Sequence, residues 1–340
     1  MRLAADVDAS LHQEWHEVSN PTLLELLTGV LYGLGTTATV RGSADQLAPY
    51  GKNIQDARRT EPHDGVMSSG QGVADTGLMV AAIRAEESRR DDRLFTDPFA
   101  EKLAGESGQR LLEEAIATAG DKSTLQIVVR TRFWDEALLR AVATVDQVVI
   151  LAAGMDARAY RLPWPDNTTV YELDQPAVIA AKAEALGSEQ PRCRRVAIGI
   201  DLAEDWPAAL QADGFDPQRP AVWLIEGLLQ YLDESAVRTL FERIDAVSAP
   251  GSVLLYDVVG KTLLDNVMLT AVREHMARNS APWLFGTDEP GELSERLGWS
   301  AVVTDVAEPG NRWNRWFAPA VPLDVPNVPR GYFVEAAKGA

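Results

Sequence analysis

Residues 148–162 read V-V-I-L-A-A-G-M-D-A-R-A-Y-R-L, and after a short connector residues 170–182 read V-Y-E-L-D-Q-P-A-V-I-A-A-K. An apolar run that ends in a tight glycine turn, followed by a second apolar run that ends in an acid, is how an open α/β sheet builds a nucleoside pocket. Gly154 has no Cβ and lets the backbone come close to a ligand. Asp174 closes the second run, where a carboxylate can accept from both hydroxyls of a ribose. Spacing alone leaves three readings open: a nicotinamide dinucleotide, S-adenosylmethionine, or a buried βαβ unit with no ligand. The glycines discriminate between the first two. A pyrophosphate seated on a helix N-terminus needs several glycines, whereas residues 154–162 hold only Gly154, and the loop carries Asp156, Arg158 and Arg161 instead.

At 340 residues the chain is long enough for one large α/β domain with additions or for two smaller domains. Its formal charge of −18 argues against nucleic acid as a partner, because the phosphates would be repelled over the whole approach. Cys193 is the only cysteine, so no intramolecular disulfide can form and a thiolate metal site is not expected. With no apolar leader after Met1 and no apolar stretch approaching the ~20 residues of a membrane span, the expectation is a cytoplasmic protein without membrane contact.

Outward from the quoted stretch, Thr169–Leu173, Arg195–Ile200, Ala221–Ile225 and Ser252–Val258 join Val148–Ala152 as short apolar runs spaced for crossover helices. This alternation predicts a mostly parallel sheet with helices on both faces. Ala301–Val306 and Gly331–Ala336 are expected to pair as its antiparallel edge. Upstream, Val73–Ala117 reads as helix broken at Thr96-Asp97-Pro98, and Leu125–Val142 as a further helix; downstream, Lys261–Asn279 and Leu293–Leu297 read as helical. Near the start, Leu3, Val7, Leu11, Trp15 and Val18 recur at helical spacing, and Asn20-Pro21 opens a second helix, which predicts a helical hairpin. Arg58–Gly72 has linker composition. The predicted organisation is therefore an N-terminal helical extension and linker at 1–72 and an α/β domain at 73–340.

Several motifs follow one another in order: T-x5-A-I-R-A-E at 76–86, L-F-T-D-P-F-A at 94–100, V-R-T-R-F-W-D at 129–135, and L-A-A-G-M-D-A-R-A-Y-R-L at 151–162. E-L-D-Q-P at 172–176, G-I-D-L at 199–202, G-F-D-P at 214–217, E-G-L-L-Q-Y-L at 226–232 and F-G-T-D-E-P at 285–290 complete the series. In this order and spacing, from about Val73 to the C-terminus, the chain resembles the leucine carboxyl methyltransferase-like family. These are S-adenosylmethionine-dependent enzymes whose bacterial members methylate carboxyl or hydroxyl groups. The resemblance implies a Rossmann-like class I methyltransferase fold, with a mostly parallel seven-stranded sheet, an antiparallel edge strand and extra N-terminal helices. It also shows one departure: the family's usual first loop has a second glycine where this chain has Ala152, whose methyl group narrows the cradle.

The resemblance places Gly154 against the methionyl portion of S-adenosylmethionine, Asp174 on the ribose diol, and Asp201 with the backbone of Leu202 at the adenine edge. Arg130 would grip the cofactor carboxylate through its planar fork, and Glu226, at the end of the fourth apolar run, would face the amino group or sulfonium. Taken singly, each acid reads more readily as a helix cap or a solvated strand end than as a ligand contact; three at successive strand ends, Asp174, Asp201 and Glu226, shift that balance. For the acceptor, Tyr231 is the candidate hydrogen-bond donor, alternatively a core tyrosine. Arg84 is either a contact to an acceptor carboxylate or an ion pair with Glu87 or another helix acid. His12, His16, His63 and His275 offer no obvious base, which favours a carboxylate acceptor, already ionised at neutral pH, over a hydroxyl.

His12 and His16 stand four apart, but Gln13 occupies the place of the glutamate in a zinc-peptidase pattern, so no metal is expected. Gly29, Gly33 and Gly35 lack the lysine of a phosphate loop. Trp283, Trp313 and Trp316 are candidates either for an aromatic acceptor lid or for core under the C-terminal loop. The leading expectation is an O-methyltransferase acting on the carboxylate of a small molecule, such as a secondary-metabolism product, with a homodimer as a further possibility. A hydroxyl methyltransferase, a nicotinamide dehydrogenase and an idle S-adenosylmethionine-binding protein that works through its N-terminal hairpin are the alternatives.

Overall fold

The computed structural model describes residues 70–339 apart from Asn279. The expected N-terminal hairpin, His12, His16, His63, the glycines at 29–35 and the linker up to 69 lie outside the described residues. Helix α1 (Gly70–Arg89) takes in Gly70–Gly72, the end of the stretch that reads as linker. The chain continues as α2 (Ala100–Ala119), α3 (Leu125–Ala141), β1 (Gln147–Leu151), α4 (Arg158–Arg161), β2 (Thr169–Asp174), α5 (Pro176–Leu186) and β3 (Arg194–Gly199). It goes on through α6 (Trp206–Ala212), β4 (Ala221–Ile225), α7 (Glu234–Ala246), β5 (Val253–Val259), α8 (Lys261–Leu264) and α9 (Thr270–Arg278). The last elements are α10 (Glu292–Glu295), β6 (Trp299–Asp305), α11 (Ala307–Arg312) and β7 (Gly331–Lys338).

The strands form one seven-stranded sheet in the order β3-β2-β1-β4-β5-β7-β6. β1–β5 are parallel, and the two segments expected to pair antiparallel do so, with β6 outermost and the reversed strand β7 inserted between it and β5. Period-two alternation divides β1 between two cores. Val148 and Ile150 join the layer under α1, α2 and α3, with Trp134 and Leu138, while Val149 and Leu151 join the layer under α6 and α7, with Trp206 and Phe241. Because both faces are covered, all five residues of β1 are buried, as are those of β4. Trp134, Trp206 and Trp223 are fully buried, each worth roughly 3–5 kcal/mol against truncation to alanine.

The helices start and stop where local chemistry allows. α5 begins with Pro176 in its first turn, where the missing N–H costs nothing, and gives way at Gly187 with φ +59°. α7 is capped by Asp233, whose Oδ1 accepts from Ala236 N at 2.8 Å, and buries Val237, Leu240, Phe241 and Ile244 as one stripe. The single helix expected at 261–279 is instead α8, a short 3-10 turn at Val267–Leu269, and α9. No helix among the described residues is long and apolar enough to cross a membrane.

Candidate functional site

The carboxyl ends of three strands are level because their registers coincide: Leu151 lies opposite Leu173 on β2 and Ile225 on β4. One residue further on each side stand Asp174 and Glu226. Gly199 of β3 pairs with Asp174, so Asp201 follows two residues beyond that strand's end. The connection from β1 runs to β2 and that from β4 to β5, in opposite directions, which opens a crevice between β1 and β4, where open α/β sheets take their ligands. A cavity of about 630 Å³ opens there, within the size range of small-molecule sites. Arg130, Gly154, Asp174, Asp201, Leu202 and Glu226 all line it, as do Arg84 and Tyr231.

The turn after β1 is built for close approach. Ala152 and Gly154 both have left-handed backbone, with φ +51° and +45°. A Cβ on Gly154 would meet no protein atom nearer than the Ala152 carbonyl oxygen at 4.0 Å, so it would occupy cavity space instead. That is a cradle only glycine leaves open, and it fits a nucleoside ligand pressed against the backbone. Ala152 keeps the turn at a conformational cost of roughly 1 kcal/mol. Asp174 accepts from Gly154 N and from Gln175 N, each at 2.7 Å, so its carboxylate is aimed along the turn. Burial pushes this carboxyl up from its ordinary value, opposed by the two N–H donors and by Lys182.

Asp201 accepts from Ala203 N at 2.8 Å. The carbonyls of this turn are gathered by Arg243 of α7, whose Nη1 donates to Leu202 O at 3.1 Å and Glu204 O at 2.7 Å. Arg243 also lines the cavity. Nothing near it in the sequence marks it, since its partners lie some forty residues away.

The floor of the cavity is ionic. Glu226 accepts from Arg130 Nε at 2.9 Å and from Arg158 Nη1 at 2.6 Å, one guanidinium on each oxygen. Arg158 also pairs with Asp156, and its Nε donates to Asp135 at 2.8 Å. Asp135 holds Arg161 through two bonds of 2.6 Å, and Arg161 approaches Asp97 at 3.7 Å. Asp97 accepts from Arg84 Nε at 2.9 Å, and Arg84 Nη2 donates to the Met155 carbonyl at 2.5 Å. Arg84 is thus paired, but not with Glu87. That acid is taken by Arg315, at 3.2 Å, while Asp97, from beyond the break after α1, faces Arg84. Gly227, with φ +65°, leaves room for this arrangement, because a Cβ there would fall 3.0 Å from Arg130 Nη1. Burial opposes the charge of Asp156, yet the adjacent Arg158, with Lys182 and Arg161, holds its carboxyl at about 2. Burial pushes Asp257 up, opposed by the Arg130 guanidinium 3.5 Å away.

The cavity is also lined by Thr76, Gly77 and Val80 of α1, with Gly77 close to Met155, and by Ser280, Pro282 and Leu284. The 280–285 stretch is alternating: Ala281, Trp283 and Phe285 are buried, while Leu284 is 55 % exposed. Of the two readings for Trp283, Trp313 and Trp316, the structure favours core over lid: they pack in or against the cores and none lines the cavity. Val80, Pro282 and Leu284 give this lining an apolar part beside Thr76 and Ser280. Tyr231 stands in the 3-10 turn Leu229–Tyr231, half-buried against the cluster of Val259, Leu263, Leu264, Leu269 and Trp283. It both packs on a core and faces the cavity.

A family model described as leucine carboxyl methyltransferase matches residues 77–245. A protein of Mycolicibacterium paratuberculosis, named provisionally as an S-adenosyl-L-methionine-dependent methyltransferase, is 46% identical over 229 residues, 62% of this chain and 73% of that protein. A protein of the same provisional name from Mycobacteroides abscessus is 41% identical over 271 residues, 72% of this chain and 89% of its own length. Among solved structures, a provisionally named methyltransferase from Thermobifida fusca superposes with a TM-score of 0.51 at 17% identity, covering 74% of this chain and 95% of that one. At that identity the likeness concerns the fold.

Proposed function

The chain belongs to the leucine carboxyl methyltransferase family of S-adenosylmethionine-dependent methyltransferases, and from that premise we propose that it methylates a carboxylate oxygen of a small acid with an apolar body. S-adenosylmethionine is its cofactor, and when bound it supplies an electrophilic methyl group on a sulfonium. In this reading Gly154 lies against the methionyl portion, Asp174 takes the ribose diol, and Asp201 with the Leu202 backbone takes the adenine edge. Arg130 takes the cofactor carboxylate and Glu226 the amino group.

The observation that carries a carboxylate acceptor is the engagement of the acids lining the cavity. Asp156 and Glu226 are held by guanidinium groups, and Asp174 and Asp201 by backbone N–H donors. None is set as a base for a hydroxyl, and a carboxylic acid with an ordinary pKa near ~4 needs none. The work left to the chain is proximity, alignment and exclusion of water, which favours a step that neutralises charge. Tyr231 donates to the acceptor oxygen. Arg84, with Nε and Nη2 committed to Asp97 and Met155, leaves Nη1 for the acceptor carboxylate. Val80, Pro282 and Leu284 receive the apolar body, which suits a secondary-metabolism acid.

The test is incubation of the protein with isotope-labelled S-adenosylmethionine and a panel of small apolar acids, read by mass spectrometry. The expected product is a methyl ester that mild alkali cleaves. An alkali-stable methyl ether, or no transfer to any acid, overturns the assignment.

A further inference from the structure

We propose that Asp135 is a positioning residue for the amino-acid-tail end of the cavity, acting through Arg158 on Glu226 and so on Arg130. The proposal rests on the reading that Arg130 and Glu226 hold the tail of the cofactor. Asp135 does not line the cavity. It is 5% exposed and lies on the same helix as Arg130, five residues on, so the two side chains leave α3 in different directions.

Its carboxylate is the junction between two buried guanidinium groups. Oδ1 accepts from Arg158 Nε at 2.8 Å and from Arg161 Nη2 at 2.6 Å, and Oδ2 accepts from Arg161 Nη1 at 2.6 Å. Committing Nε fixes the plane of the Arg158 fork, and a fixed fork can present Nη1 in only one direction. There Nη1 meets Glu226 Oε2 at 2.6 Å, and Asp156 beside it. The other oxygen of Glu226 takes Arg130 Nε at 2.9 Å. Glu226 is therefore clamped between two guanidinium groups that both trace back to α3, one directly and one through Asp135. Without the Asp135 charge, Arg158 and Arg161 lose the carboxylate between them, and Arg158 keeps carboxylate partners only on Nη1, at Asp156 and Glu226, with nothing on Nε to fix the plane of its fork. The adenosine end of the cavity, at Asp174, Asp201 and Arg243, makes none of these bonds.

The experiment compares two nucleosides that share adenosine and differ in the tail: S-adenosylhomocysteine and 5′-methylthioadenosine. Both are titrated calorimetrically into wild type and Asp135→Asn, with thermal unfolding followed in parallel. The expected result is a roughly ten- to hundredfold loss for S-adenosylhomocysteine, the scale of a hydrogen bond to a charged group, and a change under about threefold for methylthioadenosine. Should Asp135→Asn fail to fold, Arg158→Lys, which keeps the charge and loses the fork, is expected to give the same selective loss. Equal losses for both nucleosides mean that Asp135 only supports the fold, and no loss means that it does nothing for the site; either overturns the proposal. Wild-type protein that binds neither nucleoside overturns the cofactor assignments of the cavity and this inference with them, whereas wild-type binding matched by an unselective variant overturns the role of Asp135 alone.

Discussion

In the proposed assignment Asp174 takes the cofactor's ribose diol, and its environment sets a pH signature. Its carboxyl is pushed above the ordinary 3.8 mainly by burial, and it must be ionised to accept from two ribose hydroxyls. Affinity for S-adenosylhomocysteine is therefore expected to be flat at neutral pH and to fall on acidification at a pH above 3.8. Asp174→Ala removes that dependence and costs about 1–3 kcal/mol of binding. Calorimetric titration across pH checks both, and an unchanged dissociation constant in the variant removes Asp174 from the site. Ala152 gives a second prediction: with φ +51°, Ala152→Gly relieves left-handed strain and is expected to raise stability by about 0.5–1 kcal/mol without weakening cofactor binding. A lower melting temperature would contradict it. Both residues are legible in the sequence, since Asp174 ends an apolar run and Ala152 departs from a glycine pattern. Asp135 and Asp97 are not: their partners, Arg158 and Arg84, lie 23 and 13 residues away, and only the packing of helices on the sheet brings them together.

Among the elements, the five parallel strands and the antiparallel pair are readable to within about two residues, because short apolar runs bounded by turns mark them. Reading fails where helical spacing continues across a break. Residues 261–279 carry a helical pattern, yet the chain turns at Asp265 and Asn266 and re-forms as α9, and α11 forms despite Pro309 and Gly310. Those breaks matter, since they lead to the 280–285 stretch, which lines the cavity at Ser280, Pro282 and Leu284 while its odd positions are buried. Leu284 N donates to Gln230 O at 2.7 Å, which pins this stretch beside the turn that carries Tyr231. Leu284→Asp places a charge where the acceptor's apolar body is proposed to sit. It is expected to raise the acceptor KM about tenfold or more, with S-adenosylhomocysteine affinity unchanged, because burying a charge against an apolar group is costly. Steady-state kinetics on the methylated acid, beside calorimetry on the same preparation, check the split; a parallel loss of cofactor binding would show that the stretch serves the other end of the cavity.

At the scale of the molecule, the scattered motifs become one object. Arg84 of α1, Asp97 after it, Asp135 of α3, Arg158 and Arg161 of α4 and Glu226 after β4 form a continuous ionic chain beneath the cavity. Such buried pairs are costly to break singly, which ties motifs from 76 to 232 to one geometry. The residues assigned to the cofactor all lie at Arg130 or beyond, whereas α1 contributes Thr76, Gly77, Val80 and Arg84 to the cavity lining. Residues 1–69 precede that helix in the chain. Their deletion is therefore expected to leave S-adenosylhomocysteine affinity within about twofold, as for independent sites, while changing acceptor use or dimer formation. Calorimetry, product mass spectrometry and size-exclusion chromatography on the truncated chain measure the three. A folded truncation that no longer binds the nucleoside would mean that the extension belongs to the cofactor site, and the boundary proposed near residue 72 would have to be abandoned.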